Sequence, residues 1–279
     1  MDGVVGTPQP HPALNYARLV AVDPRDATLY GDLANRIEQV SPLELVVQIR
    51  DDAFFHPSPN NDNAQKVSAS DIARDFAIRA DADEFLFKHV IASVEVPESN
   101  TLHFRLRGPF AFLFEFLGDS ESASVRSQIN SPSGLPIGGG PFIPERREDR
   151  SISLRAHPLY HHRDLPALDE IQIISAEHEA VLDAAFASGS LDLRRLLSPE
   201  SISRAEERLD AQTLTRTTRQ MRGLGLSLVG SKGGTTTRFQ EAFLDERVRR
   251  AIFLSLNHEE VSQLENAPTS YPVGAIGPA

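Results

Sequence analysis

The run Phe243-Leu244-Asp245-Glu246-Arg247-Val248-Arg249-Arg250-Ala251-Ile252, continued by Leu256-Asn257-His258-Glu259-Glu260-Val261, decides how the rest of the chain is read. Its apolar spacing predicts a helix over Leu244 to Ser255 with the arginines on one side. Arg247, Arg249 and Arg250 are expected to form ion pairs or to cap helix carbonyls rather than to touch a ligand.

Upstream of this helix, Leu224 to Val229 reads as a strand and Ser198 to Leu209 as a helix. Ala180 to Ser188 is a further helix, closed by Gly189, and Ile152 to Leu154 and Ile171 to Ile174 are strands. Towards the N-terminus, Val90 to Val96 and Thr101 to Leu106 pair as strands through Pro97-Glu98-Ser99-Asn100. Leu43 to Ile49 is another strand, and Tyr16 to Val22 a short element ended by Asp23-Pro24. Ser68 and Asp71 have the spacing of a capping box before Ile72, Ala73, Phe76 and Ala77. Phe110 to Leu117 is expected to be a helix whose Phe110, Phe112, Phe114 and Phe116 enter the core. Ser120 to Gly140, polar and rich in Gly and Pro, is a crossover. The class is α/β with mixed sheets.

With 279 residues the chain has ample material for a buried core, and its 40% apolar and 24% charged content is that of a globular chain. A net charge of −11 argues against a phosphate-binding surface, so no nucleic-acid partner is expected. There are no cysteines, which excludes disulfides, thiolate ligands and a Cys nucleophile. No apolar run approaches the ~20 residues that span a bilayer. Met1 to Pro12 lacks a basic n-region and an apolar h-region, so no signal peptide is read there.

Four groupings offer chemistry. His157, His161 and His162 lie close together, and a four-residue spacing on a helix would suit Zn²⁺. Pro158 and Pro166 oppose a helix there, and no Glu fills a general-base slot, so no metal site is expected. Gly138-Gly139-Gly140 and Gly230-Ser231-Lys232-Gly233-Gly234 lack the Lys-Ser/Thr of a phosphate loop and read as connections. Gly225-Leu226-Ser227-Leu228-Val229-Gly230 is not a nucleophile elbow. Glu206-Glu207 and Glu259-Glu260 are adjacent, so on a helix each pair diverges. No catalytic residue and no cofactor are expected.

The opening stretch resembles the Phe-x-Asp-x-Arg-Val-Arg-x-Ala-Ile signature of the extracytoplasmic solute-binding proteins of peptide-type ABC importers, the oligopeptide/dipeptide-binding family. Other segments match that family in order. Leu33-Ala34-Asn35-Arg36-Ile37-Glu38 resembles its Leu-Ala-Glu-x-Trp-Glu, and Leu45 to His56 its Phe-x-Leu-Arg-x-Gly-x-Lys-Phe-His strand. Val67 to Ile72 resembles Thr-Ala-x-Asp-Val, and Gly138 to Phe142 resembles Gly-Thr-Gly-Pro-Tyr. Arg155 to Tyr160 and Pro166 to Ile171 resemble Arg-Asn-Pro-x-Tyr-Trp and Pro-x-Leu-Asp-x-Ile, and Ser188 to Leu193 the Gly-Glu-Ile-Asp element.

The resemblance implies a periplasmic-binding-protein-like fold of class II, represented by its first lobe. A core sub-domain (residues 1–23 and 134–264) would carry an inserted smaller one (24–133), and residues 265–279 would begin the hinge to a second lobe. It implies capture of a peptide or small solute without catalysis, outside the cytoplasm, and delivery to an ABC permease in the membrane. Leu224-Gly225-Leu226-Ser227 resembles the family's Leu-Gly-Phe-Asn strand, so Leu226 and Ser227 are the expected ligand-binding residues. Ser227 stands where the family has Asn, with one hydroxyl and a shorter reach. The first lobe alone is expected to bind ligand weakly and, through its open half-cleft, to self-associate. The alternative is a degenerate sensor or protein-interaction module without a transported ligand.

Overall fold

A computed structural model describes residues 10–23, 25–26, 28–57, 64–119, 123–127, 135–195, 199–208, 212–214 and 238–257. The chain divides into two compact units, Met1–Glu177 and His178–Ala279.

In the first unit a short helix, α1 (Pro12–Asn15), precedes an antiparallel hairpin of β1 (Val20–Val22) and β2 (Leu29–Gly31). Next come β3 (Ala34–Ser41), β4 (Glu44–Ile49), β5 (Ile91–Glu98) and β6 (Thr101–Leu106), an antiparallel sheet in the order β3-β4-β6-β5. Strand periodicity of two sets its inner face. Leu45, Val47 and Ile49 of β4 and Leu102, Phe104 and Leu106 of β6 are all buried. Onto that face packs α2 (Ala69–Asp81), with Ile72 and Phe76 inward. The Phe76 ring lies 4.6 Å from Phe87 and 6.2 Å from Phe104, centroid to centroid.

The start of α2 is the expected capping box: Ser68 accepts from the Asp71 amide, and the Asp71 carboxylate accepts from the Ser68 amide. One π-helical turn, Leu86–Val90, then buries Leu86, Phe87 and Val90 in the same core. A second antiparallel sheet, β7 (Phe142–Arg147), β8 (Ser151–Ala156) and β9 (Glu170–Ile174), has a separate small core of Leu135, Phe142, Ile152 and Leu154.

The phenylalanine segment differs from expectation. The helix there is α3 (Leu113–Gly118), and Leu113 and Leu117, not the phenylalanines, are buried. Phe112 is 62% exposed, while Phe110, Phe114 and Phe116 only flank the core. Residues two apart fall on opposite sides of a helix, whereas the i, i+4 pair Leu113/Leu117 shares one face.

In the second unit, α4 (Glu179–Ala187) ends in a Schellman motif. Gly189 takes φ +74°, its amide donates to Phe186 O (3.0 Å), and the Ser190 amide donates to Ala185 O (2.8 Å). Helices α5 (Pro199–Arg208), α6 (Arg238–Leu244) and α7 (Glu246–Ser255) follow. The helix expected over Leu244 to Ser255 is α7, begun two residues later: Asp245 caps it by accepting from the Arg247 amide at 2.9 Å. Two of the arginines make the expected ion pair and carbonyl caps. Arg247 forks onto the Asp245 carboxylate, and Arg249 Nη1 caps the carbonyls of Phe243 (2.8 Å) and Leu244 (3.0 Å). The strand expected over Leu224 to Val229 lies outside the described residues.

Candidate functional site

The corner between β2 and β3 is Gly31-Asp32-Leu33. It turns tightly because Gly31 carries no side chain: a Cβ there would sit 2.2 Å from the carbonyl oxygen of Ala34. The corner is pinned to the entering chain. The amides of Asp32 and Ala34 donate to Leu19 O (3.1 and 2.9 Å), and the Leu33 amide donates to Arg18 O (2.8 Å). These bonds hold the Asp32 carboxylate inside the first unit, at 3% side-chain exposure.

The partners of that carboxylate come from the loop after β8. The segment from His157 is not helical, in keeping with Pro158 and Pro166, so the three histidines of this run do not share a helical face. They separate into two settings. His161 and His162 both turn to Asp32, with Nε2 atoms 2.6 and 3.2 Å from the same Oδ1. The other oxygen, Oδ2, accepts the Arg18 amide at 2.8 Å. Among the described residues, Asp32, His161 and His162 form the group of three side chains whose ligand-capable atoms all lie within 4.8 Å of one another.

The surroundings fix this geometry. Arg50 Nη1 donates to Asp32 O (3.2 Å) and Nη2 to His161 O (2.8 Å), so one guanidinium ties together the two segments that carry the cluster. Arg50 is itself held by Asp52, through Nε at 2.6 Å and Nη2 at 3.0 Å. Tyr160 packs against both rings, with centroids 4.5 Å from His161 and 5.4 Å from His162, and Tyr30 meets His162 edge-on at 5.9 Å.

Burial alone would raise the Asp32 pKa. Hydrogen bonds from His161 and His162, together with the Arg18 amide, outweigh it and hold the carboxyl well below its ordinary range. Asp32 is thus an anion near neutrality, and each histidine turns an Nε2–H towards it. Burial, then the Asp32 charge, push the Tyr160 phenol upward, so it stays neutral.

His157 is placed elsewhere. Its Nδ1 faces Gly140 O at 3.2 Å, and its ring meets His56 edge-on at 4.9 Å. His56 accepts the Gly138 amide on Nδ1 (3.3 Å) and directs Nε2 to Gly140 O (3.0 Å), so its proton resides on Nε2. Burial pushes His56 down to about 3 and His157 to about 4, and both are neutral at pH 7. The glycine run Gly138-Gly139-Gly140 is thus a tight backbone junction. A Cβ on Gly138 would lie 1.8 Å from Asn15 O, and one on Gly140 2.6 Å from the Tyr16 nitrogen.

Beside the cluster lies an open cleft of about 540 Å³ whose lining includes Gly31, Asn35, Arg50, Asp52 and Asn100. The residues expected to contact ligand, Leu226 and Ser227, lie outside the described residues. Sequence reasoning singled out the histidine run but missed Asp32. The carboxylate is separated by 129 positions from His161, and only the hairpin corner brings it there.

Residues 28–265 match the family model for bacterial extracellular solute-binding proteins, family 5 (middle). Among solved structures, the chain is similar to the ABC transporter-associated periplasmic binding protein DppA from Helicobacter pylori in complex with the peptide STSA. That likeness has a TM-score of 0.64 at 19% identity and covers 72% of this chain and 47% of the other. A dipeptide-binding protein from Pseudoalteromonas sp. SM9913 in complex with Met-Leu aligns with TM-score 0.61 at 16% identity, over 71% of this chain and 44% of that one. NikA from Brucella suis in complex with Fe(III)-EDTA aligns with TM-score 0.61 at 18% identity, over 70% and 41%. The chain thus spans less than half the length of these structures, and at such identities the likeness speaks for the fold: class II periplasmic binding protein, as expected. No curated protein matches the sequence.

Proposed function

The chain belongs to the bacterial extracellular solute-binding proteins of family 5, and on that premise we propose that it captures a peptide or similar small solute for an ABC importer. Capture is non-catalytic: the solute is held in a cleft, and the loaded protein delivers it to a membrane permease outside the cytoplasm. The observation that carries this reading is the family match over residues 28–265. The peptide and dipeptide named with two of the similar structures support the solute class. Among the described residues no helix is long and apolar enough to cross a membrane.

Within this proposal residues 24–133 are a sub-domain inserted into a core of residues 1–23 and 134–264, and residues 265–279 begin a hinge. Leu226 and Ser227 line the solute cleft, with the Ser227 hydroxyl making one hydrogen bond to the solute. A single such bond contributes about 0.5–1.5 kcal/mol, so Ser227→Ala should weaken solute binding by roughly 2- to 13-fold. Calorimetric titration of the whole gene product with di- to tetrapeptides tests both levels. Saturable one-to-one binding, reduced in Ser227→Ala, supports the proposal. Binding unaffected by the substitution overturns the assignment of Ser227, and failure of every peptide to bind overturns the solute class.

A further inference from the structure

We propose that Asp32, His161 and His162 constitute a resident site for one divalent transition-metal ion of the Zn²⁺, Ni²⁺ and Co²⁺ class. Two imidazoles and a carboxylate suit these ions, and nitrogen donors disfavour Mg²⁺ and Ca²⁺, which take oxygen ligands. Ligand bonds of about 2.0–2.2 Å in a tetrahedral shell put donor atoms roughly 3.4 Å apart. The Nε2 atoms of His161 and His162 stand 2.6 and 3.2 Å from Asp32 Oδ1, and all three donors lie within 4.8 Å. Small side-chain adjustments therefore open a shell of that size.

The protein prepares this arrangement from behind. Arg50 fixes the backbones of Asp32 and His161 to each other, the Arg18 amide occupies the rear carboxylate oxygen, and Tyr160 walls the two rings. Entry comes from one side: the His162 side chain is 25% exposed, whereas those of His161 and Asp32 are 0% and 3% exposed. A fourth ligand, water, would come from the solvent-exposed His162 side, where Tyr30 packs edge-on against the ring.

Two orphaned atoms bear on the same point. His161 Nδ1 and His157 Nε2 are buried with no protein partner. With the proton of His161 on Nε2 both are bare acceptors. A metal on Nε2 moves that proton to Nδ1, which turns the buried Nδ1 of His161 into a donor. With one carboxylate in the set and the Arg18 guanidinium 3.9 Å from Asp32 Oδ2, affinity should be on the order of micromolar rather than that of an all-anionic site.

The test uses the protein stripped with a chelator, dialysed at pH 7.5, and titrated calorimetrically with ZnCl₂, NiCl₂ and CoCl₂, with bound metal counted by elemental analysis. One ion per chain is expected, with MgCl₂ and CaCl₂ inert. Asp32→Asn, which keeps an acceptor oxygen, and His162→Gln, at the half-open ligand, should each weaken Zn²⁺ binding at least 10-fold. His89→Gln, at an exposed histidine outside the cluster, should leave it unchanged. Should a ligand variant fail to fold, the wild-type Co²⁺ complex decides, because nitrogen coordination at low coordination number gives an intense visible band that aquo-Co²⁺ lacks. Absence of stoichiometric binding, a wild-type Co²⁺ spectrum matching the aquo ion, or Zn²⁺ affinity indifferent to both ligand substitutions would overturn the site.

Discussion

The Asp32 carboxylate does more than its place in a turn requires: it receives the Arg18 amide and the Nε2–H groups of both His161 and His162. Removing it by Asp32→Ala leaves those donors without an acceptor in the interior, at a cost of about 2–4 kcal/mol. Chemical denaturation should show this as a lower midpoint with an unchanged slope, and Asp32→Asn should recover part of the loss. His56 and His157 make the second prediction at this scale. Each is neutral when folded, with pKa values pushed down to about 3 and about 4, chiefly by burial, whereas an unfolded histidine titrates near 6.5. Between those limits the unfolded chain binds more protons than the folded one. Stability is therefore fully present above about pH 6.5 and falls on acidification, by about 1 kcal/mol per pH unit for each histidine. Asp32 adds its own loss only further into acid, since its folded pKa lies below the unfolded carboxylate value. Urea midpoints at pH 7 and pH 5 for the wild type and His56→Gln measure this: the variant should lose about half the pH slope, and an equal slope would contradict burial as its cause.

Local elements were legible where a short-range rule fixes them. The Ser68/Asp71 capping box, the Gly189 stop after α4 and the strands β4, β6 and β8, read from their content of Val, Leu and Ile, all follow from patterns within a few residues. Ser68→Ala should accordingly cost about 1 kcal/mol of stability, readable in thermal unfolding, because it removes half of that box. What the sequence concealed is what depends on a register or a partner far away. In the segment Phe110 to Leu117, hydrophobicity alone pointed to the phenylalanines, yet the i, i+4 pair Leu113/Leu117 owns the buried face. The junction of α6 with α7 at Asp245 is another case, since α6 itself was not read. Asp is an N-cap residue inside an otherwise helical pattern, and the Arg249 side chain seals the carbonyls that the junction exposes in α6. Arg249→Gln should fray that junction, with a loss of about 0.5–1.5 kcal/mol, visible as faster amide exchange at Leu244 to Arg247. Unchanged exchange there would remove the capping role.

For the molecule as a whole, the ordered motifs located family and fold, because each describes a backbone junction that many sequences must satisfy in the same way. Gly138-Gly139-Gly140 against Asn15 and Tyr16 is one such junction: Gly138→Ala should destabilise the first unit severely, since its Cβ would meet main chain that cannot yield. The cluster of Asp32 with His161 and His162 was not legible, for the opposite reason. It is assembled by residues some 130 positions apart, and no local pattern announces which carboxylate a histidine pair will meet. Solute choice likewise rests on side chains facing a cleft rather than on the frame. The most direct test of the central claim is native mass spectrometry of the whole gene product, exchanged free of bound small molecules and offered a mixture of di- to tetrapeptides. The account predicts a single peptide retained per chain, with the peptide recovered chemically intact after release. A spectrum showing only unliganded protein at saturating peptide, or recovery of cleaved peptide, would contradict it.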